Sequence, residues 1–369
     1  MVAVLSLLAA ACGSSDSDGA SSTTTKAAAS DGDSTTTTKA ADTDGLDKLS
    51  GKLDGAGSSF QDTFEQQVSA DFGTLVKDAG GSATITYTKS GSSDGKKGLA
   101  DKTIDFAGSD SPLKDEEKPG FGDRKVLYFP IVGGPITVAY NLDGVDELNL
   151  SPATIAGIFQ ATITTWDDDA IKADNPDADL PSTKITVVHR SDGSGTTSNF
   201  TKFLVAAAPD DWKLESGETV NWPASTQGAE KSTGVTTAIG DTDGAIGYAD
   251  LADAAKENLS VAAIGNKSGD FIAPTPDSAS AALAASDVAD DLTYSPLNVD
   301  ADGAYPITSP TWIIVDAVQA DQGKADIIKA YLKYVLTTGQ DQAKALLYAP
   351  LPEELATKAI AQIDQITVG

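Results

Sequence analysis

Apolar residues recur along this chain in two rhythms. Phe60, Phe64, Val68, Phe72 and Leu75 keep the three-and-four spacing of one helix face. So do Phe200, Phe203, Leu204 and Ala207, and, near the C-terminus, Ile327, Ile328, Tyr331, Leu332 and Val335. Ala83 to Thr88 alternates as a half-buried strand, while Ile104 to Gly108 and Ile185 to Val188 read as short buried strands. Ser151 before Pro152 supplies a hydroxyl cap and a first-turn proline for a further helix. Strands and helices taking turns predict an α/β fold, and 369 residues suit about two domains.

Small residues gather where these strands turn into helices. Gly55-Ala56-Gly57-Ser58-Ser59-Phe60 precedes the first helical stripe, with Ser58 or Ser59 as the expected cap. Ser90-Gly91-Ser92-Ser93-Asp94-Gly95-Lys96 introduces a short helix, and the strand ending at Gly108 delivers Ser109 and Asp110. In open α/β sheets, ligands sit outside such strand ends. The third loop is Arg190-Ser191-Asp192-Gly193-Ser194-Gly195-Thr196, and Arg190 is one of only two arginines, the other being Arg124. A helix's first turn has unpaired N–H groups and a partial positive charge, and Arg adds planar paired donors for oxyanion oxygens. The pattern points to anion capture.

Nucleotide loops fit poorly. Phe60 stands where a third glycine would follow Gly55-Ala56-Gly57, and Ser90 and Lys97 break the P-loop pattern around Gly95-Lys96. Asp192 replaces the first glycine of a hydrolase elbow around Ser194, and the sole histidine, His189, sits beside Arg190, whose charge disfavours an imidazolium. A surface phosphatase using Ser194 is the alternative from a different class.

Lys plus Arg total 26 against 54 Asp plus Glu, a formal net charge of −28. Such a surface repels nucleic acid. Screening confines the same repulsion of a small anion to roughly 8 Å at physiological salt, so a site for one must work through short-range dipoles. One cysteine, Cys12, allows no intrachain disulfide, and one histidine argues against Cys/His metal sites; no metal or cofactor is expected. Asn298 to Gly303 opens like a calcium loop, but Ser309 stands where the closing Glu belongs.

Residues 1–11 are almost wholly apolar, too few to span a bilayer but suited to a secretory signal core, although the first Lys is Lys26. Leu8-Ala9-Ala10-Ala11-Cys12 resembles the lipobox of bacterial lipoproteins, which implies lipidation at Cys12. Residues 12–46, rich in Ser, Thr, Ala, Gly and Asp, read as a disordered tether.

The loops, in this order, resemble the substrate-binding protein of the bacterial ABC-type phosphate importer. Gly55 to Phe60, Gly91 to Ser93, Asp105 to Asp110 and Arg190 to Thr196 carry the likeness. Ile158-Phe159 through Asp168, Gly244 to Tyr248 and Tyr305 to Ser309 support it. Asp94, where the family often has Gly, and residues 227–231, where it has a glycine-rich loop, depart from the pattern.

The resemblance implies a two-lobe, class II periplasmic-binding-protein fold with two hinge crossovers and the ligand between the lobes. Residues 47–132 plus 305–369 would form lobe I and residues 133–304 lobe II, crossing at Val132-Gly133-Gly134-Pro135 and near Asp302 to Pro306. It further implies an extracytoplasmic, lipid-anchored, monomeric, non-enzymatic receptor that hands inorganic phosphate to a membrane permease. Ser59, the Phe60 amide, Ser92, Arg190, Ser194, Gly195 and Thr196 would donate to the anion, with Asp192 holding Arg190. Asp110, acceptor-only when ionised, would select an oxyanion that still bears a proton. Receptors of the same fold for sulfate or molybdate are the nearest alternative.

Overall fold

The computed structural model describes residues 43–369. The apolar segment 1–11, Cys12 and the tether as far as residue 42 lie outside the described residues. The expected tether limit at residue 46 is too late: Leu46 is buried in the core and opens a short 3-10 helix.

Nine strands form one mixed sheet: β1 (Ser50–Gly57), β2 (Ser82–Thr88), β3 (Phe106–Ser109), β4 (Val126–Asn141), β5 (Thr186–Arg190), β6 (Gln227–Ala229), β7 (Ala245–Asp250), β8 (Ser260–Val261) and β9 (Thr308–Asp316). Their order is β2-β1-β3-β9-β4-β7-β5-β6, with β8 also pairing β4. Helices that matter below are α1 (Asp62–Asp78), α2 (Ser92–Ala100), α3 (Pro152–Phe159), α4 (Gly195–Ala207), α5 (Lys231–Gly240) and α6 (Gln322–Val335). The α/β expectation is met, and Ser151 caps α3 by accepting from the Thr154 amide.

One cap differs. Helix α1 starts at Asp62 behind Gln61, whose side chain makes no cap bond. Phe60 therefore precedes the helix, and Ser58 and Ser59 are left for other partners.

Strand β4 organises the sheet. Residues 126–135 pair antiparallel with β9, and from Ile136 onward the strand pairs with β7. The Gly133-Gly134-Pro135 run does not interrupt it; the partner changes where Pro135, which has no N–H, hands over to Ile136. Strand β9 is antiparallel to both β3 and β4, so β3 runs alongside β4 and ends at Ser109 near the same stretch. From the other side β7 runs back to Asp250, opposite Ile136, with β5 parallel to it. C-terminal strand ends from both directions thus converge on the middle of β4. A bulge in β4 falls at the same level: Thr311 pairs with Val132 and Trp312 with Pro130, which leaves Ile131 as the extra residue.

The apolar faces named above bury together. Phe72 of α1 meets Tyr331 of α6 edge-on at 5.4 Å between ring centroids, within the same core as Phe64, Val68, Ile327 and Ile328, and Phe200 of α4 stacks on Tyr248 of β7 at 4.4 Å.

Candidate functional site

Asp110 leaves the end of β3 into a pocket of hydroxyl groups and is 1% exposed. Ser58, just past β1, donates to Asp110 Oδ1 at 2.6 Å, and Thr311 Oγ1 lies 2.8 Å from the same oxygen. Thr196, in the first turn of α4, donates to Oδ2 at 3.1 Å. Asn199, one turn further along α4, donates to the Asp110 carbonyl at 2.7 Å and to Ser309 Oγ at 2.9 Å. Burial pushes the Asp110 carboxyl up to about 6, although these hydroxyls and the Arg190 charge pull the other way.

The loop after β5 arrives opposite. Arg190 is buried, and its Nε and Nη2 donate to the two oxygens of Asp192 at 2.8 and 2.5 Å. Burial raises the Asp192 carboxyl, but Arg190 and Lys231 outweigh it and hold the group well below the usual range. Lys231 fixes Asp192 from the other side through its amide at 2.9 Å and its ammonium at 3.2 Å. The pairing sets the plane of the guanidinium. Tyr248 accepts from the Arg190 amide at 3.2 Å, which locks the strand end.

Ser194 is the cap of α4, its Oγ accepting from the Thr197 amide at 3.1 Å. The hydroxyl proton is therefore free to point elsewhere. The amides of Gly195 and Thr196 begin the helix and have no intrahelical acceptor. Gly195 is obligatory here: a Cβ would lie 2.6 Å from Ser92 Oγ and 2.9 Å from Asp110 Cβ. Gly91, at φ 101°, is equally confined, since a Cβ would meet Asp192 Oδ2 and the Gly193 carbonyl at 2.8 Å. The starts of α2 and α4 thus pack against each other and against Asp110. Ser92 Oγ lies 3.4 Å from the Asp110 amide.

Ser59 and Phe60 stand at the same strand end with protein partners of their own. Ser59 Oγ pairs with Ser232 at 3.0 Å at the start of α5, and the Phe60 amide donates to Ser58 Oγ at 3.0 Å. Asp94 is exposed in the first turn of α2, placed to favour that helix's positive end. His189 stacks on Trp222 at 4.9 Å and its Nδ1 contacts the Arg190 carbonyl; burial lowers its affinity for a proton. Neither ring nitrogen is bonded to Ser194. Arg124 serves the fold, bonding Asp316 and the Leu99 and Ala100 carbonyls.

Three contributors escaped the sequence reading. Ser58 stands where a helix cap is expected, and neither Thr311 nor Glu218 lies in a motif that marks a site. Glu218 is buried, and accepts from Lys96 at 2.5 Å, from Ser93 and from Ser111, beside the Asp110 loop. Burial pushes it up, yet the Lys96 charge and those bonds hold it below the usual range.

The chain matches a family model described as a PBP superfamily domain over residues 18–338. The phosphate-binding protein PstS of Xylella fastidiosa is 35% identical over 312 residues, covering 82% of each chain. PstS of Pasteurella multocida is 34% identical over 320 residues, covering 84% of this chain and 89% of its own. A periplasmic phosphate-binding protein, PfluDING, solved with phosphate bound at pH 8.5, shares the fold. Its TM-score is 0.71 at 22% identity, covering 85% of this chain and 94% of that one.

Proposed function

Since the chain belongs to the PstS family of phosphate-binding proteins within the PBP superfamily, we propose that it captures inorganic phosphate outside the cytoplasm and delivers it to the permease of an ABC-type importer. Arg190, Ser92, Ser194 and the amides of Gly195 and Thr196 donate to the anion. Ser59 and the Phe60 amide join on binding, exchanging their present partners for phosphate oxygens. Asp192 holds the guanidinium flat for two parallel bonds.

One observation carries the reading: a buried, ionisable acceptor, Asp110, sits among the donors at the start of α4. An ionised carboxylate can only accept, so it welcomes an anion that still carries a proton. Phosphate near neutral pH does; sulfate does not. Two anionic oxygens about 4 Å apart at an effective dielectric near 20 repel by roughly 4 kcal/mol, which is ample discrimination.

Residues 47–132 with 305–369 form one lobe and residues 133–304 the other, closing by a hinge at β4 and at the run entering β9. The receptor acts as a monomer, held to the outer face of the membrane by a lipid on Cys12, and turns nothing over.

Calorimetry of the purified protein with phosphate and with sulfate tests this. Tight binding of phosphate and at least about a hundredfold weaker binding of sulfate is the expected result. No heat with phosphate, or equal affinities, ends the proposal; turnover of a chromogenic phosphoester that disappears in Ser194→Ala would favour the phosphatase.

A further inference from the structure

Asp110 is the end of a buried chain of hydrogen bonds that begins at a second carboxyl. Glu65 on α1 is fully buried; one of its oxygens accepts from Tyr331 at 2.5 Å and the other pairs with the Gln61 side-chain amide at 3.0 Å. The far end of that amide lies 2.6 Å from Thr311 Oγ1, the same oxygen that is 2.8 Å from Asp110 Oδ1. Gln61, Glu65 and Thr311 are all 0% exposed, so bulk solvent does not reach these bonds.

Thr311 has one hydroxyl proton; the Gln61 and Asp110 oxygens contest it at 2.6 and 2.8 Å, with the Ser109 carbonyl further off at 3.3 Å. With the Gln61 oxygen towards Thr311, the orientation the structure has, that proton goes to Gln61, and the amide N–H goes to an ionised Glu65. Thr311 and Asp110 then meet oxygen to oxygen unless Asp110 is itself protonated. Turning the amide over in place reverses every bond. A protonated Glu65 donates to Gln61 Oε1, Gln61 Nε2 donates to Thr311, and Thr311 donates to an ionised Asp110. Each fully satisfied arrangement keeps one proton on the two carboxyls: on Asp110 in the first, on Glu65 in the second.

We propose that Glu65 is a positioning residue for anion selection: its carboxyl proton, relayed through Gln61 and Thr311, keeps Asp110 in the ionised form that receives the ligand's proton. This rests on the phosphate reading above. Burial pushes both carboxyls up, Glu65 to about 7 and Asp110 to about 6, the order that the second arrangement requires. The groups facing Glu65 are Tyr331 from α6, Tyr87 from β2 and Asp62 on its own helix. Those facing Asp110 are Arg190 and Tyr87. Only Asp110 has a cation, so Arg190 favours the same arrangement. Above about pH 7 Glu65 ionises, Gln61 turns over, Asp110 loses the Thr311 donor, and phosphate binds less well.

Glu65→Gln keeps a donor for Gln61 and an acceptor for Tyr331 at every pH. Phosphate affinity is measured calorimetrically from about pH 6 to about pH 8.5 for the protein and the variant; phosphate's own ionisation is common to both and cancels in their ratio. The affinities should agree within about twofold at the acid end, and the variant should bind at least about fivefold more tightly at the alkaline end. In a Thr311→Val background, where the link is cut, the same exchange should leave the ratio flat. A flat ratio in the unsubstituted background, with phosphate bound by both proteins, overturns the relay, as does a ratio that still changes behind Thr311→Val. Failure of the wild-type protein to bind phosphate at any pH overturns the phosphate reading and the relay with it. If Glu65→Gln does not fold, Tyr331→Phe decides. Its lost donor raises Glu65 further and should move the fall in affinity to higher pH; an unmoved or lower break overturns the relay.

Discussion

Asp110 keeps its charge in a place that resists charge. Three hydroxyl donors and the Arg190 field support it, yet burial leaves the carboxyl raised to about 6 from an ordinary 3.8. A folded-state value above the unfolded one means that ionisation destabilises the fold. The cost is absent below the unfolded value, builds as pH rises between the two, and is fully present above about 6. At about 1.4 kcal/mol per unit it comes to roughly 3 kcal/mol. Asp110→Asn should therefore raise the melting temperature of the ligand-free protein at pH 8 and change it little at pH 4, as followed by calorimetric scans. The same variant should lose discrimination against sulfate by more than it loses phosphate affinity. Equal losses for the two ions would remove the proton-acceptor role from Asp110.

Individual elements explain what the sequence made legible. Arg190, Ser194 and Asp110 stand at strand ends or helix starts, where composition alone signals a change of direction, and the folded chain puts them there. Thr311 was invisible because its place beside Asp110 depends on the long-range register of β9 against β4, where Thr311 pairs with Val132 next to the extra residue Ile131. Ser58 resembled a cap because a serine before a helix usually is one; α1 starts too late for that, and Asp110 takes the hydroxyl instead. Glu218 lies in a stretch without regular structure and acquires meaning only from Lys96 of α2, 1% exposed, whose ammonium also contacts Glu117 at 2.8 Å. Removing one member of such a pair costs up to about 3–5 kcal/mol when the other charge is left alone; Lys114, 3.7 Å from Glu218, tempers the loss here. Lys96→Met should lower unfolding stability by about 2–3 kcal/mol in denaturant titrations. The double change Lys96→Met with Glu218→Leu should recover a large part. A double variant as unstable as the sum of its parts would mean the pair is not coupled.

At the scale of the molecule, a net charge of −28 opposes the arrival of the anion that the site receives. Attraction begins only within hydrogen-bond reach of the α4 start, so added salt, which screens the distant repulsion, should accelerate phosphate association in stopped-flow measurements. Association slowed by salt would mean instead that the local field of Arg190 and Lys231 governs the approach. The α/β class and the order of the loops were readable from the chain because alternation and punctuation are local properties. The unbroken passage of β4 from one set of partners to the other was not, since the Gly-Gly-Pro run inside it advertises a break.

The position of β9 has a consequence for how the molecule is made. It lies in the middle of the sheet, between β3 and β4, but comes from residues 308–316, so nearly the whole polypeptide must exist before those two strands are joined. Pairings this far apart in sequence form slowly. The two sides of the sheet, β1 to β3 and β4 to β8, are complete in sequence before that, so the seam between them is the last joint the growing chain is able to close.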